Sequence, residues 1–419
     1  MIDRTLAPAS FPVKNFNFRN YRKIILNGHI EGLVIPDKQH PICSIEIIFR
    51  SGSWFEKNPG VAFLTGKMLL EGNSTKNGEE IALAFEHMGA HIEIQTAVDG
   101  TSIRLFATQK HIHSSLSLLQ EILFTPSFPT HEFEVIKNLK AEQIKMQLAK
   151  NTYFATSYFH ELLFGATHPY GRSLKEIEIK QRSLLEITDF FQLQFQNNPK
   201  VVLCGDIDEK IIEKTALLLG NINKVGEEMP SFEIRPNHGH QTIERSDSVQ
   251  ASLRVGAQTI HREDQDIHKL TVANKLLGGF FGSRLMKKLR EEKGLTYGIY
   301  SSITHSHNAS YWTITTEMKS DNAEDSLEAI HEIITELAQN YPSLSEVDML
   351  KNFLRGNFLS SMNSILDVAS IYTLLFVNDI SHHFLNTSLE TIDNIRPKDI
   401  SEMIQKYYLD SDKSSLFVR

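Results

Sequence analysis

Cysteine is almost absent, with two residues, Cys43 and Cys204, in a chain of 419. Each sits in an apolar stretch, PICSIEIIF and KVVLCGDI, where a small hydrophobe fits. A disulfide-stapled scaffold is therefore excluded, and both read as reduced core residues. Basic excess is missing too: 43 Lys and Arg stand against 51 Asp and Glu, a net charge of -8. No Lys/Arg run is long enough to track a phosphate backbone, which argues against nucleic acid as a partner. No apolar run approaches the roughly 20 residues needed to span a bilayer. The opening MIDRTLAPASFPVKNFNF lacks the charged region and apolar segment of a signal peptide, so the expectation is a soluble, cytoplasmic protein. What is present is an ordinary globular balance, 41% hydrophobic and 22% charged. At about 150 residues per domain, the length suggests two or three domains with sizeable cores.

Hydrophobic periodicity predicts a strand at 42–49, helices at 60–71 and 79–87, and a hairpin of strands 92–96 and 102–107 joined through Asp99-Gly100. A helix at 114–123, a long helical stretch at 131–163, the loop His168-Pro169-Tyr170-Gly171 and a strand at 201–204 follow. The second half repeats the order, with a strand at 251–255, helices at 268–277 and 282–292, a strand at 311–318 and an amphipathic helix at 323–337. That last helix carries Leu327, Ile330, Ile334 and Leu337 on one stripe and is predicted to be capped by Asp321 and Glu324. Gly52 and Gly256 lie 204 residues apart, and Gly89 and Gly294 lie 205 apart. The near-equal offsets point to a duplicated domain, joined through KVGEEMPSFEIRPNHGH, with units 1–228 and 229–419. Strands and helices mixed in this way predict two α+β domains, each a largely antiparallel sheet packed with helices.

The segment GVAFLTGKMLLEGN from Gly60 resembles a helix of the insulinase/pitrilysin family of zinc metallopeptidases, in which it reads approximately G-x-A-H-F-L-E-H-M-L-F-x-G. Gly60, Ala62, Met68, Leu69 and Gly72 match, but the three functional positions fall on Phe63, Gly66 and Lys67. An inverted zinc motif, H-x-x-E-H, places two imidazoles at i and i+4 on one helical face with a Glu beside them to activate water. A phenyl ring cannot ligate, an ammonium is not a neutral donor, and glycine has no side chain to act as base. Gly66 also costs roughly 1 kcal/mol against Ala inside a helix. By the resemblance the third ligand falls on Gln143, with Glu142 beside it. LLGGFFGSRLMKKLREEKGLTYGIYSS, Leu276 to Ser302, closely resembles the family's C-terminal signature, including Arg290 and Tyr297. The resemblance implies that these two reach substrate, the phenol donating to the oxyanion of a scissile carbonyl and the guanidinium holding peptide oxygens. It covers nearly the whole chain.

Other patterns carry less. His87, His91 and Glu93 are interrupted by Gly89-Ala90. The pairs His111/His113, His238/His240, His305/His307 and His382-His383 lack further donors at ligand spacing and read as surface histidines. Gly278, Gly279 and Gly282 are followed by no Lys-Ser/Thr and read as a turn. The resemblance further implies a substrate-facing edge strand, which falls on His91, Ile92, Glu93 and Ile94; their alternation equally fits any half-buried strand.

The resemblance implies chains of this size working in pairs, one supplying zinc and another the Arg and Tyr. The expectation is a zinc-free, non-catalytic subunit of a heterodimeric metalloendopeptidase. It would hold no cofactor itself, position a peptide substrate with Arg290 and Tyr297, and pair with a similar-sized chain that carries H-x-x-E-H and zinc. The alternatives are a peptide-binding or structural scaffold, for which a homodimer would speak, and a self-sufficient metallopeptidase with an unconventional site.

Overall fold

The computed structural model of the chain describes residues 16, 18–195, 197, 199–222, 229–245 and 250–419. The predicted unit boundary between 228 and 229 and most of the N-terminal segment lie outside the described residues. The first half runs β1 (Arg22–Leu26), β2 (Ile30–Pro36), β3 (Ile42–Phe49), α1 (Val61–Met68), α2 (Gly78–His87), β4 (His91–Thr96), β5 (Thr101–Thr108), α3 (Ile112–Phe124), α4 (Thr130–Leu148), α5 (Asn151–Phe164), α6 (Glu176–Lys180), α7 (Leu184–Gln194), β6 (Lys200–Gly205) and α8 (Glu209–Leu218). The second runs β7 (Gly239–Ile243), β8 (Gln250–Gln258), α9 (Ile267–Gly278), a π-helical turn (Met286–Glu292), β9 (Thr296–His305), β10 (Ser310–Lys319), α10 (Ala323–Gln339), α11 (Leu344–Ser360), α12 (Ile365–Val377), α13 (His383–Asn394), α14 (Pro397–Ile404) and β11 (Ser414–Val418).

Two sheets result, ordered β1-β2-β6-β3-β5-β4 and β7-β11-β8-β10-β9. Apart from the parallel pairs β2–β6 and β11–β7, neighbours are antiparallel, so the predicted α+β architecture holds. Without β1 the two orders are the same, and of the paired glycines Gly89 and Gly294 are equivalent, whereas Gly52 lies beyond the end of β3 and Gly256 inside β8. Gly89 ends α2 at φ 58 and leads into β4, while Gly294 ends the π-helical turn at φ 62 and leads into β9. Both occupy left-handed backbone that favours a residue without Cβ.

The halves exchange helices. On β3, Cys43, Ile45, Ile47 and Phe49 face the core of the first half. On the opposite face of that sheet, Leu33, Ile35, Val202 and Cys204 meet Val368, Tyr372, Leu375 and Phe376 of α12. In return, α5 lays Ala155, Phe159, Leu162 and Leu163 against Leu416 and Val418 of the second sheet. A Cβ on Gly256 would strike the carbonyl of Trp312 and crowd the Phe159 ring, so this glycine is needed for α5 to approach. With both faces covered, the central strands read as nearly continuous apolar runs. Cys43 and Cys204 are buried and free, and burial pushes both thiols up to about 12.

Several predicted boundaries are corrected. The helix expected at 60–71 spans only Val61–Met68. The stretch expected at 131–163 is two helices, broken at Lys150, whose extended backbone (ψ 126) turns the chain from α4 on the first half to α5 on the second sheet. The helix expected at 282–292 begins at Arg284 and winds over Met286–Glu292 as a π-helical turn. Asp321 and Glu324 do not cap α10: a 3-10 turn precedes it, Asn322 is its N-cap without a side-chain bond, and Glu324 pairs with Arg419 at 3.1 Å. Among the described residues, no single helix is long and apolar enough to cross a membrane.

Candidate functional site

The first four N–H groups of a helix have no partner inside it and present positive potential. At α1, Glu56 answers this need: its carboxylate accepts from Gly60 N–H at 3.1 Å and Ala62 N–H at 2.9 Å and forms an ion pair with Arg172. Burial is the leading influence on Glu56 and leaves its carboxyl above the usual carboxylate range, although the N–H bonds and Arg172 oppose it. Nothing in the local sequence pattern singled out Glu56 or Arg172, because their partnership spans 116 residues.

α1 thus fixed presents Phe63 and Lys67, one turn apart, on one face. Gly66 is buried, and a Cβ there would collide with Thr96 Oγ1 of β4. Gly66 therefore has a packing reason that the sequence did not reveal: any Cβ there would force the Thr96 side chain of the edge strand to shift. From α4, Lys140 holds its ammonium 4.2 Å from the centre of the Phe63 ring and donates to Gln143 Oε1 at 3.3 Å. Phe63, Gly66 and Lys67 line a hollow of about 280 Å³ with Ile94, Gln95, Thr96 and Ala97. The four degenerate motif positions therefore gather in one place, with Lys140 added. Burial, reinforced by Lys67, pulls Lys140 below the ordinary lysine range. Glu142 is exposed and influences Lys180 instead.

A phenyl ring, a glycine, an ammonium and an amide do not fit zinc. Among the described residues, no three His, Cys, Asp or Glu side chains gather as a metal site. His91 stacks on Phe106 with centroids 6.3 Å apart, and the Glu93 carboxylate accepts from Gln95 at 2.6 Å. His91, Ile92, Glu93 and Ile94 lie on β4, which pairs with β5 on one side and ends the sheet on the other.

Arg290 and Tyr297 lie in the second half and contribute nothing to this hollow. Arg290, on the π-helical turn, stacks over Phe281 at 4.8 Å. Tyr297, near the start of edge strand β9, is 91% exposed, and its hydroxyl has no partner among the described residues. The segment beneath is held firmly: Arg284 forks onto Glu346 at 2.6 and 3.0 Å and reaches Glu336 at 2.9 Å, and Thr296 donates to the Glu317 carbonyl at 2.7 Å.

The tips of the two equivalent hairpins meet at Asp99. It accepts from Tyr170 Oη at 2.5 Å and from His307 N–H at 3.1 Å, while Asn308 N–H donates to the same tyrosine at 3.0 Å. The His-Pro-Tyr-Gly loop is thus a tie between the halves, and His168 supports it by accepting from Tyr170 N–H at 3.1 Å. His305 is not the surface residue expected. It bonds Ser310 at 2.7 Å, and burial, with Arg262 and His261 adding to it, lowers its ring to about 4.

Residues 33–174 match the family described as Insulinase (Peptidase family M16), and residues 186–354 match Peptidase M16 inactive domain. The chain belongs to peptidase family M16. It is 26% identical over 384 residues to a Helicobacter pylori protein named non-peptidase homolog YmxG, covering 89% of this chain and 88% of that one. It is 24% identical over 315 residues to a Bacillus subtilis protein named uncharacterized zinc protease YmxG, covering 73% and 75%. Its fold is that of a solved peptidase M16 inactive domain from Pseudomonas fluorescens, with TM-score 0.86, 24% identity and coverage of 95% and 98%. A solved protease from Helicobacter pylori aligns with TM-score 0.85, 18% identity and coverage of 96% and 100%. The segment that resembles the family's motif-bearing helix is α1, with the motif itself replaced, and the stretch matched to the inactive domain contains Arg290 and Tyr297.

Proposed function

We propose that this M16 chain is a zinc-free, non-catalytic subunit of a heterodimeric metalloendopeptidase. Its Arg290 and Tyr297 engage the peptide at an active site whose zinc, base and attacking water come from a partner chain of similar size bearing H-x-x-E-H. The observation that carries this reading is the contrast between the two signatures. At α1, Phe63, Gly66 and Lys67 line a hollow and offer no metal donors, whereas Tyr297 stands free on a well-anchored segment. A solvent-facing phenol with no internal partner suits a hydrogen bond made across an interface. The names of the relatives, a non-peptidase homolog and an inactive domain, agree with a non-catalytic role. Peptide is expected to lie along the open edge of β4, where unpaired backbone groups accept an added strand.

The test is native purification of the full chain, with mass spectrometry of co-eluting proteins and zinc and peptide-cleavage assays on each fraction. Zinc and cleavage confined to fractions that also hold an H-x-x-E-H chain are expected. Elution as a pair of identical chains, with neither zinc nor cleavage, would make the protein a scaffold. One zinc per isolated chain would make it a self-sufficient peptidase.

A further inference from the structure

We infer that the place corresponding to the zinc site is a carboxylate-binding site, in which Lys67 of α1 and Lys140 of α4 together hold a carboxylate of a peptide laid along β4. The part played by β4 rests on the strand-addition reading above; the two ammoniums stand on their own geometry. Lys67 lines the hollow beside Thr96, where β4 ends and the chain turns toward Gly100. Lys140 is brought to the same place from α4, with its ammonium against the Phe63 ring that lines that hollow. The charge of Lys67 is felt at Lys140, so the two ammoniums share one neighbourhood around the Phe63 ring.

Both are left wanting an anion. One turn earlier on α4, Lys137 is paired with Glu134 at 2.7 Å, but among the described residues neither Lys67 nor Lys140 has an ion-pair partner. Glu71 lies near enough to feel Lys67, yet burial and Glu132 work against its ionisation. The groups Lys140 does touch, a π face and an amide oxygen, stabilise a cation without neutralising it. A carboxylate has two oxygens and satisfies two ammoniums at once through charge-assisted hydrogen bonds. The pairing track of β4 ends at Thr96, so a strand added parallel to it would bring its terminal carboxylate, or an acidic side chain at its last position, to the two lysines.

The experiment measures binding of the full chain to three N-terminally fluorescein-labelled decapeptides of Ala, Thr and Ser: one ending in a free carboxylate, its C-terminal amide, and an amide with Glu as the last residue. The free acid is expected to bind about 10-fold tighter than the plain amide. The preference should shrink as salt rises. It should vanish in the double variant Lys67→Ala, Lys140→Ala while affinity for the plain amide stays unchanged. Recovery of the preference by the Glu-bearing amide identifies a side-chain carboxylate as an accepted source. Equal binding of acid and amide by the natural chain overturns the site and leaves strand addition standing. If no peptide binds, strand addition fails, and the lysines are then tested alone. Their reductively ¹³C-methylated signals, assigned with the single Lys→Ala variants, are titrated with acetate: saturable shifts at both keep the site, and their absence overturns it.

Discussion

Edge strands β4 and β9 occupy equivalent positions in two sheets of the same order, each following a helical segment that ends in a left-handed glycine, yet the chemistry beside them is opposite. Next to β4 the helix has closed down: Gly66 touches Thr96, and Phe63 carries the Lys140 ammonium. Next to β9 the segment is braced from beneath by Arg284 and Thr296 and exposes Arg290 and Tyr297 above. One copy of the fold has invested its glycine and aromatic in packing, while the other keeps polar groups facing outward. A duplicated fold therefore need not duplicate its site, and whether a side chain is satisfied inside the chain tells structural use from outward use.

The sharpest way to break this contrast is at Tyr297. In the complex with the zinc-bearing partner, Tyr297→Phe is expected to lower turnover by the ~10²- to 10³-fold typical of losing an oxyanion donor. The isolated variant should melt within about 0.5 kcal/mol of the natural chain, since nothing internal is lost. Unchanged turnover would remove Tyr297 from the chemistry. At the start of α1 in the first half the expected loss is in stability. Glu56→Ala strands Arg172 and two N–H groups at the start of α1 and is expected to cost about 3 kcal/mol in denaturant unfolding; a loss under 1 kcal/mol would contradict a buried pair.

A double-mutant cycle sharpens the comparison at the helix–strand contact. Gly66→Ala should normally gain roughly 1 kcal/mol of helix propensity, but the new Cβ meets Thr96 Oγ1, so a net loss of about 1–2 kcal/mol is expected. In a Thr96→Ala background the obstruction is gone and the same substitution should be neutral or stabilising, giving a coupling of about 1 kcal/mol or more. Additivity of the two changes would mean that Gly66 is not placed by this contact.

Gly66 also marks how far the sequence can be read. β3, β4, β5, β6, β8 and β10, the duplication and the fold class follow from local periodicity and from glycines at near-equal offsets, because burial imposes a period of 2 or 3.6 on any chain, whereas β1, β2, β7, β9 and β11 do not stand out locally. The family frame shows which motif positions are altered. What replaces them is invisible locally: Thr96 against Gly66 and Lys140 over Phe63 bring together residues 30 and 77 positions apart. The break at Lys150 was hidden for a similar reason, since the residues around it are acceptable in a helix and the turn is required by where α5 must pack.

The smallest expected effect lies where the two hairpins meet. His305 is half-buried against Ser310, with Arg262 and His261 nearby, and its ring titrates near 4 in the folded chain, below the usual value of 6.5. An unfolded chain takes up this proton as pH falls through about 6.5, whereas the folded chain resists until about 4. Unfolded molecules therefore bind more protons across that window, and stability falls as the pH is lowered through it. His160 and His168 are held down by burial as well, so replacing one ring reduces the slope without abolishing it. His305→Gln keeps a polar partner for Ser310 and removes the titration. Unfolding free energies between pH 7 and pH 4 are expected to fall less steeply in the variant, and an unchanged slope would show that the junction around Asp99 does not hold His305 neutral.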